Sequence, residues 1–354
     1  MKILILKDDS SYYYTDITNS FIRALEKHNI DVHKAIIFKS INYFLLNSYL
    51  TNKIAAAMMQ PKIRKRLFAE IETIKPNVIL VVKGAFLLPS ILRKIKKMYP
   101  EIKLVCYNPD DPFSKYRGAT NQYIRNSIKY YDNYFTWKKS LVDVLKNFGA
   151  ARTHYLPFGA DTDIIYPASL DNTSDYQLVS FIGNPDKERL FFLNKLNIEL
   201  VKRKSNIPVS LFGHDWPDKN GFLINDPVEG EDFMKTISSS KINLNILRLQ
   251  NKNSNNMRTF EIPAAGGFML HEYSEEAIEF FKPGMEADYF KDEIECVDKI
   301  LFYLNREELR KKIAEAGQIR ASSDHTYEQR IKLMLETIFG KAKRFEFSDK
   351  YLKN

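Results

Sequence analysis

Val78-Ile79-Leu80-Val81-Val82 is an unbroken apolar run of five residues followed by Lys83-Gly84. It has no polar member on either face, so it reads as a strand buried on both sides, which is the mark of a parallel sheet covered by helices. Other short apolar runs flank it at Lys2–Leu6, Ile102–Tyr107, Asn133–Thr136 and Thr153–Leu156. Helical spacing fills the intervals at Ser20–His28, Lys62–Ile74, Ser90–Met98 and Lys138–Phe148. Strand and helix in alternation predict an α/β fold with a parallel sheet.

The pattern then restarts. Gln177–Ile182 ends in Gly183, Ile207–Phe212 ends in Gly213, and Lys241–Leu247 and Gly267–His271 read as further strands. Between the halves, residues 157–175 are rich in turn formers, as a linker should be. The expectation is two Rossmann-like domains facing a cleft. Residues 1–165 form the first domain and 176–325 the second, with 326–354 a terminal helix and tail that can pack back on the first. A length of 354 residues exceeds the usual reach of one core and agrees with that division. Ligands of such sheets lie at the carboxyl ends of the strands.

Composition narrows the function. Hydrophobic residues are 44% and charged ones 27%, which excludes a disordered or fibrous chain. A formal charge of +9 suits anionic partners without choosing among them. Cys106 and Cys296 are too few for a disulfide framework and lie in no CxxC cluster, so a reducing, cytoplasmic setting without structural zinc is expected. The opening Lys2–Leu6 lacks the form of a secretory signal, and no run approaches the roughly 18 apolar residues that span a bilayer. GxGxxG, GxxxxGK[ST] and GxSxG are absent, so dinucleotide redox, P-loop and hydrolase chemistry lack their carriers. The basic residues are dispersed and no nucleic-acid module is recognisable, so nucleic acid is not an expected partner.

The stretch Asn255-Asn256-Met257-Arg258-Thr259-Phe260-Glu261-Ile262-Pro263-Ala264-Ala265-Gly266-Gly267-Phe268 reads as loop, short helix, glycine turn and strand. Asn255 or Asn256 can cap the helix, Met257, Phe260 and Ala264 share its inner face, and Gly266-Gly267 end it. Pro263 should kink the helix or confine it to two turns. Arg258 brings planar donors suited to phosphate oxygens, beside free N–H groups of the helix start. Glu261, one turn on, can accept the hydroxyls of a ribose. The competing reading is a capped helix with an exposed Arg–Glu pair.

This stretch resembles the nucleotide-sugar motif of GT-B glycosyltransferases, and is most similar to the CgeB/spore-maturation-like group. Phe181-Ile182-Gly183-Asn184 with Glu188-Arg189, Asn243-Leu244-Asn245, Leu156-Pro157-Phe158-Gly159-Ala160-Asp161, and His325-Thr326-Tyr327 with Arg330 extend the likeness over roughly residues 100–340. The resemblance implies a transferase that takes a nucleotide sugar as substrate, without a further cofactor. Its acceptor would be a glycan, a lipid-linked glycan or a protein, as in cell-envelope glycan synthesis. It implies Glu261 on the donor ribose, Arg258 and Asn256 at the diphosphate, and Gly183 and Asn184 on the opposing phosphate loop. It also implies His214, with Asp215, beside the base, and Arg189, Asn245 and Gly266 in the same donor site. Many retaining members of the wider superfamily carry a second Glu seven positions earlier. Here that position is Ser254, so a retaining outcome is not implied.

An inverting transfer needs a general base. Asp110 and Asp111, in Asn108-Pro109-Asp110-Asp111-Pro112 after a strand, are the first candidates, and Asp8-Asp9 the second. A Pro-Asp-Asp-Pro turn with its carboxylates bonded to nearby backbone is the alternative. Asp161-Thr162-Asp163 has DxD spacing but lies at the linker, so no metal site is expected; the six histidines form no HxH or HxxxH pair. Ile41–Met59, apolar and aromatic, precedes Lys62, Arg64, Lys65 and Arg66. Such a stretch can rest on the anionic inner face of a membrane, or else be a buried helix pair with a solvated basic face.

Overall fold

The structure, a computed structural model, describes residues 1–9, 16–39, 49–114, 120–170, 177–217 and 221–340. The side chains of 8, 9, 36–39, 49–57 and 59 are not described. The carboxylates of Asp8-Asp9, the greater part of Ile41–Met59, linker residues 171–175 and the tail from 341 therefore lie outside the described residues.

The chain divides into two compact units, 1–157 with 338–340, and 158–337. Residues 158–165 group with the second unit: Ala160 N donates to His325 O (2.8 Å) and Tyr327 N to Ala160 O (2.9 Å), tying this segment to residues 325–327.

The first unit contains β1 (Lys2–Asp9), α1 (Ile17–Lys27), β2 (Asp31–Lys39), α2 (Tyr49–Ile74), β3 (Val78–Val82) and α3 (Pro89–Met98). β4 (Lys103–Asn108), α4 (Gln122–Ser127), β5 (Asn133–Thr136), α5 (Leu141–Asn147) and β6 (Thr153–Tyr155) complete it. Its six strands are all parallel in the order β2-β1-β3-β4-β5-β6. Every residue of β3 is buried, as its apolar run requires.

The second unit has β7 (Gln177–Ile182), α6 (Lys187–Lys202), β8 (Val209–Phe212), β9 (Phe222–Asn225), α7 (Gly230–Ser239), β10 (Ser240–Asn245) and α8 (Arg258–Ala264). After these come β11 (Met269–Glu272), α9 (Ala277–Phe280), β12 (Asp288–Phe290), α10 (Glu293–Leu304), α11 (Glu307–Asp324) and α12 (Tyr327–Ile338). The order β12-β11-β10-β7-β8-β9, again all parallel, places the first strand of the unit at its centre. Val179, Phe181, Leu211, Ile242, Leu244 and Leu270 build its core against α6 and α10. Each unit is thus a Rossmann-like α/β layer structure.

Three strands have no counterpart in the sequence expectations: β2, β9 and β12. All three are sheet edges. Polar residues break up β2, while β9 and β12 have only four and three residues, too few to show a pattern, and β12 is buried throughout.

Candidate functional site

β10, β7 and β8 are neighbours, so their carboxyl ends open on one rim of the second unit. Gly183 ends β7 and Gly213 ends β8. A Cβ on Gly213 would lie 2.4 Å from Gly183 O, so the two loops approach more closely than any side chain allows. Trp216 Nε1 donates to Gly183 O (3.0 Å), and Asn184 Oδ1 accepts from His214 N (3.0 Å). Gly183, Asn184 and His214 are therefore brought together, with the side chains of His214 and Asp215 exposed at the rim. The Asn184 side chain staples the two loops to each other.

Arg189, in the first turn of α6, is buried beneath that rim. Nε and Nη2 donate to Ile246 O (3.1 and 2.9 Å) and Nη1 to Asn184 O (3.0 Å), and the guanidinium lies 5.1 Å from the Phe181 ring centroid. Its donors are committed to the scaffold, where they hold the end of β10 against the β7 loop. Burial lowers its pKa to about 10, and the charges of Arg248 and Arg258 act in the same direction, while Asp186 and Glu272 oppose. Arg189 and Arg248 also meet at one carboxylate oxygen, Asp186 Oδ2 (3.7 and 3.6 Å). Arg248, which sequence reading passed over, lies 3.6 Å through Nε from Asp186 Oδ2 with 31% of its side chain exposed. Its signal was positional: an arginine three residues beyond the end of a central strand.

Asn245 and Asn256 face each other rather than solvent. Asn245 Nδ2 donates to Asn256 Oδ1 (3.0 Å) and Asn256 Nδ2 to Asn245 Oδ1 (2.9 Å). Asn256 Oδ1 also accepts from Thr259 N (2.9 Å), which realises the expected cap of α8. Thr259 Oγ1 lies 2.9 Å from His271 Nε2, and His271 Nδ1 meets the carbonyl of Glu272. A carbonyl only accepts, so Nδ1 carries the proton and Nε2 accepts from the threonine hydroxyl. Burial lowers the His271 pKa to about 4, so this ring is neutral. The cluster anchors α8 onto β10 and β11.

α8 has seven residues, the two turns its proline allows. Phe260 and Ala264 are buried and Met257 is half-buried. Gly266, at φ +75°, is the left-handed residue that ends the helix, with its N–H on Pro263 O (2.8 Å). Arg258 Nη1 donates to Glu261 Oε2, Glu261 is 2% exposed, and the Arg258 guanidinium lies 4.3 Å from the Phe233 ring centroid. The two groups expected to point to opposite ends of a ligand are thus paired with each other. Opposite charges three residues apart on one helix face close on one another when nothing separates them. Arg258 keeps 28% of its side chain exposed, and its Nε is buried with no acceptor among the described residues.

Ser254, at the position seven before Glu261, is buried, and its Oγ donates to Glu276 Oε2 (3.0 Å); Asn255 Nδ2 reaches the same oxygen (3.2 Å). A carboxylate does serve this loop, but it comes from the segment after β11, where no spacing rule within the motif would look. His325 and Arg330, part of the sequence resemblance, are buried structural groups. Arg330 Nε donates to Phe158 O (2.9 Å) and His325 Nε2 meets Phe280 O (3.0 Å).

In the first unit, Asp110 Oδ2 accepts from Lys83 Nζ (2.7 Å) across neighbouring strands β4 and β3. Lys83 adopts φ +63°, a left-handed conformation uncommon for a side-chain-bearing residue. Asp111 Oδ1 accepts from Phe113 N (2.8 Å), as the turn reading anticipates. Asp161 Oδ1 accepts from Asp163 N (3.3 Å), an Asx turn at the DxD spacing. Among the described residues no group of three His, Cys, Asp or Glu is placed to hold a metal ion.

Residues 189–336 match the family model described as glycosyl transferase-like. Three solved structures are similar over almost the whole chain, each at 12% identity. Sucrose-phosphate synthase from Thermosynechococcus elongatus superposes with a TM-score of 0.67, over 96% of this chain and 98% of that one. Anabaena HepE in complex with UDP and glucose gives 0.64 over 96% and 99%. A putative UDP-N-acetylglucosamine 2-epimerase from Listeria monocytogenes gives 0.58 over 98% and 99%. No curated protein matches this chain in sequence.

Proposed function

We propose that this chain of GT-B-like fold, with its glycosyl transferase-like segment at 189–336, is a transferase that moves a sugar from a nucleotide-sugar donor to an acceptor hydroxyl. The observation that carries the reading is that Arg189 and Arg248 share Asp186 Oδ2 (3.7 and 3.6 Å) beside the β7 loop, with Arg258, partly exposed, opening the helix that follows β10. A rim of this charge suits a diphosphate.

In this proposal the bond between the anomeric carbon and the diphosphate oxygen breaks, and its electron pair leaves with the diphosphate. Arg258 and Arg248 meet that developing charge, so no metal is invoked. When Arg258 turns to phosphate, Glu261 is released to accept the ribose hydroxyls. The β7 and β8 loops, with Gly183, Asn184, His214 and Asp215, border the phosphates and base. Asn245, Asn256, Arg189 and Gly266 act by holding these elements in place. The acceptor oxygen forms the new bond and gives its proton to Asp110 or Asp111. A cytoplasmic location and an acceptor that is a glycan, a lipid-linked glycan or a protein, as in cell-envelope synthesis, belong to the same proposal.

A panel of nucleotide sugars tests it, first for thermal stabilisation and then for nucleotide release with acceptors. Stabilisation with acceptor-dependent release supports transfer. Stabilisation without release under any acceptor supports a binding protein. An isomerised sugar nucleotide without acceptor supports an epimerase, to which the Listeria likeness lends a structural precedent. No stabilisation by any nucleotide overturns all three.

A further inference from the structure

α2 and α3 of the first unit flank a groove of about 810 Å³. Its floor and walls include Phe68, Leu88, Ile91 and Met98, none of which carries a side-chain hydrogen-bonding group. The polar groups at its far end are engaged with each other: Tyr99 donates through its hydroxyl to Glu72 Oε1, and the Phe68 and Tyr99 ring centroids are 6.2 Å apart. The groove follows the ten residues of α3, which at 1.5 Å each is roughly 15 Å.

Its edges are cationic. Arg64 and Lys65 on α2 and Lys94 on α3 line it, and Lys94 Nζ lies 5.0 Å from the Phe68 ring centroid. Among the described residues none of these three cations has a carboxylate partner. The two flanking segments, 60–74 and 89–98, hold eight Lys or Arg and two Glu, a large share of a net charge of only +9 for the whole chain. Arg66 pairs with Glu70 (2.8 Å) and Lys96 with Asp132 (2.8 Å), whereas Arg64, Lys65 and Lys94 line the groove.

We propose that this groove holds an acyl chain of an anionic membrane phospholipid, with the lipid phosphate among Arg64, Lys65 and Lys94. Two features select this occupant. Gln60, Ser90 and Tyr123 also line the groove, but along Phe68, Leu88, Ile91 and Met98 the wall offers apolar contact that a hydrocarbon chain meets with no hydrogen bond to satisfy. A cationic margin around an apolar slot matches a molecule that is apolar along its length and anionic at its head. No described helix is long and apolar enough to cross a membrane, so the attachment is peripheral. The inference stands on the first unit alone and is independent of the donor reading.

The test uses the full chain in three measurements. Sedimentation with phosphatidylcholine vesicles, with and without phosphatidylglycerol, should show at least tenfold stronger retention on the anionic vesicles. That retention should fall as salt rises. Arg64→Glu with Lys94→Glu should abolish the preference while thermal melting and circular dichroism stay unchanged. Calorimetry with a short-chain phosphatidylglycerol below its micelle concentration should detect binding that Ala69→Trp, which fills the exposed groove wall without altering charge, removes. Equal retention on both vesicle types overturns the proposal. So does retained preference in the folded double glutamate variant. Inorganic phosphate binding as tightly as the short-chain lipid, or an Ala69→Trp protein that binds it undiminished, shows an anion site without a chain groove and also overturns it. Nucleotide-induced stabilisation should be unaffected by these three substitutions, so failure here is separable from failure of the transferase reading.

Discussion

Arg258 donates to Glu261 one turn further along α8, and the guanidinium that makes this bond also has a buried Nε with no acceptor among the described residues. A buried donor left unmade costs more than an ordinary hydrogen bond gains, so this arginine is better satisfied with an anion at hand than without one. Under the proposed function this pair would part on donor binding, the cation turning to phosphate and the carboxylate to the ribose hydroxyls.

Arg258→Ala should weaken binding of the nucleotide that stabilises the protein by roughly 10- to 100-fold, the equivalent of about 1.5–3 kcal/mol for a charge-assisted contact. Glu261→Ala should weaken binding of the ribonucleotide while leaving that of inorganic pyrophosphate nearly unchanged. Calorimetry on both variants reads this directly. Equal dissociation constants for wild type and variants would remove α8 from the donor site.

Gly213→Ala should destabilise the second unit by about 1–3 kcal/mol, because its Cβ meets Gly183 O at 2.4 Å and Trp216 Nε1 at 2.9 Å. The loops must separate, so Trp216 should lose its bond to Gly183 and its fluorescence should shift to the red. An unaltered melting temperature and spectrum would show that the loops tolerate separation.

Asp110→Asn and Asp111→Asn distinguish proton acceptor from bystander. The base should lose turnover by roughly 10²–10⁴-fold with little change in donor affinity. Lys83→Ala should reduce turnover if Asp110 is that base, since it removes the group that orients Oδ2 at 2.7 Å. Full turnover in both asparagine variants would take this loop out of the chemistry.

His271 and His325 should make the second unit acid-sensitive. Burial lowers both, His271 to about 4 and His325 well below its ordinary 6.5. The unfolded chain therefore binds protons that the folded chain refuses once pH falls below about 6.5. Stability is full above that value and declines as pH drops toward 4. His271 contributes on the order of 3 kcal/mol to that decline. Denaturation midpoints between pH 7.5 and 4.5 measure the effect, and His271→Gln should flatten the slope. A stability that rises on acidification would contradict the neutral assignment of these rings.

The strands Val78–Val82, Asn133–Thr136 and Gln177–Ile182 were legible to the residue, because a central strand of a parallel sheet is apolar on both faces and turns end it. α8, Pro263 and the Gly266 stop were legible for the same local reason. The strands β2, β9 and β12 were not, since polar residues break up β2 and the other two are only four and three residues long. α2 begins at Tyr49, well before the Lys62 at which helical spacing became clear.

Side-chain roles divided differently. The chain's order of residues decided which amino acids stand at the ends of β3, β4, β7, β8 and β10, and hence that arginine, histidine, glycine and aspartate gather at strand ends, where such sheets hold ligands. Whether each is free for a ligand or spent on the scaffold was decided by contacts across long stretches of chain. Arg189 is bound to Ile246 O, Asn245 and Asn256 are bound to each other, and Glu276 serves Ser254. Local periodicity reports only which face of an element is apolar. It carries no record of which distant carbonyl or amide will satisfy a buried polar group, and that pairing exists only once the sheet has brought the strand ends together.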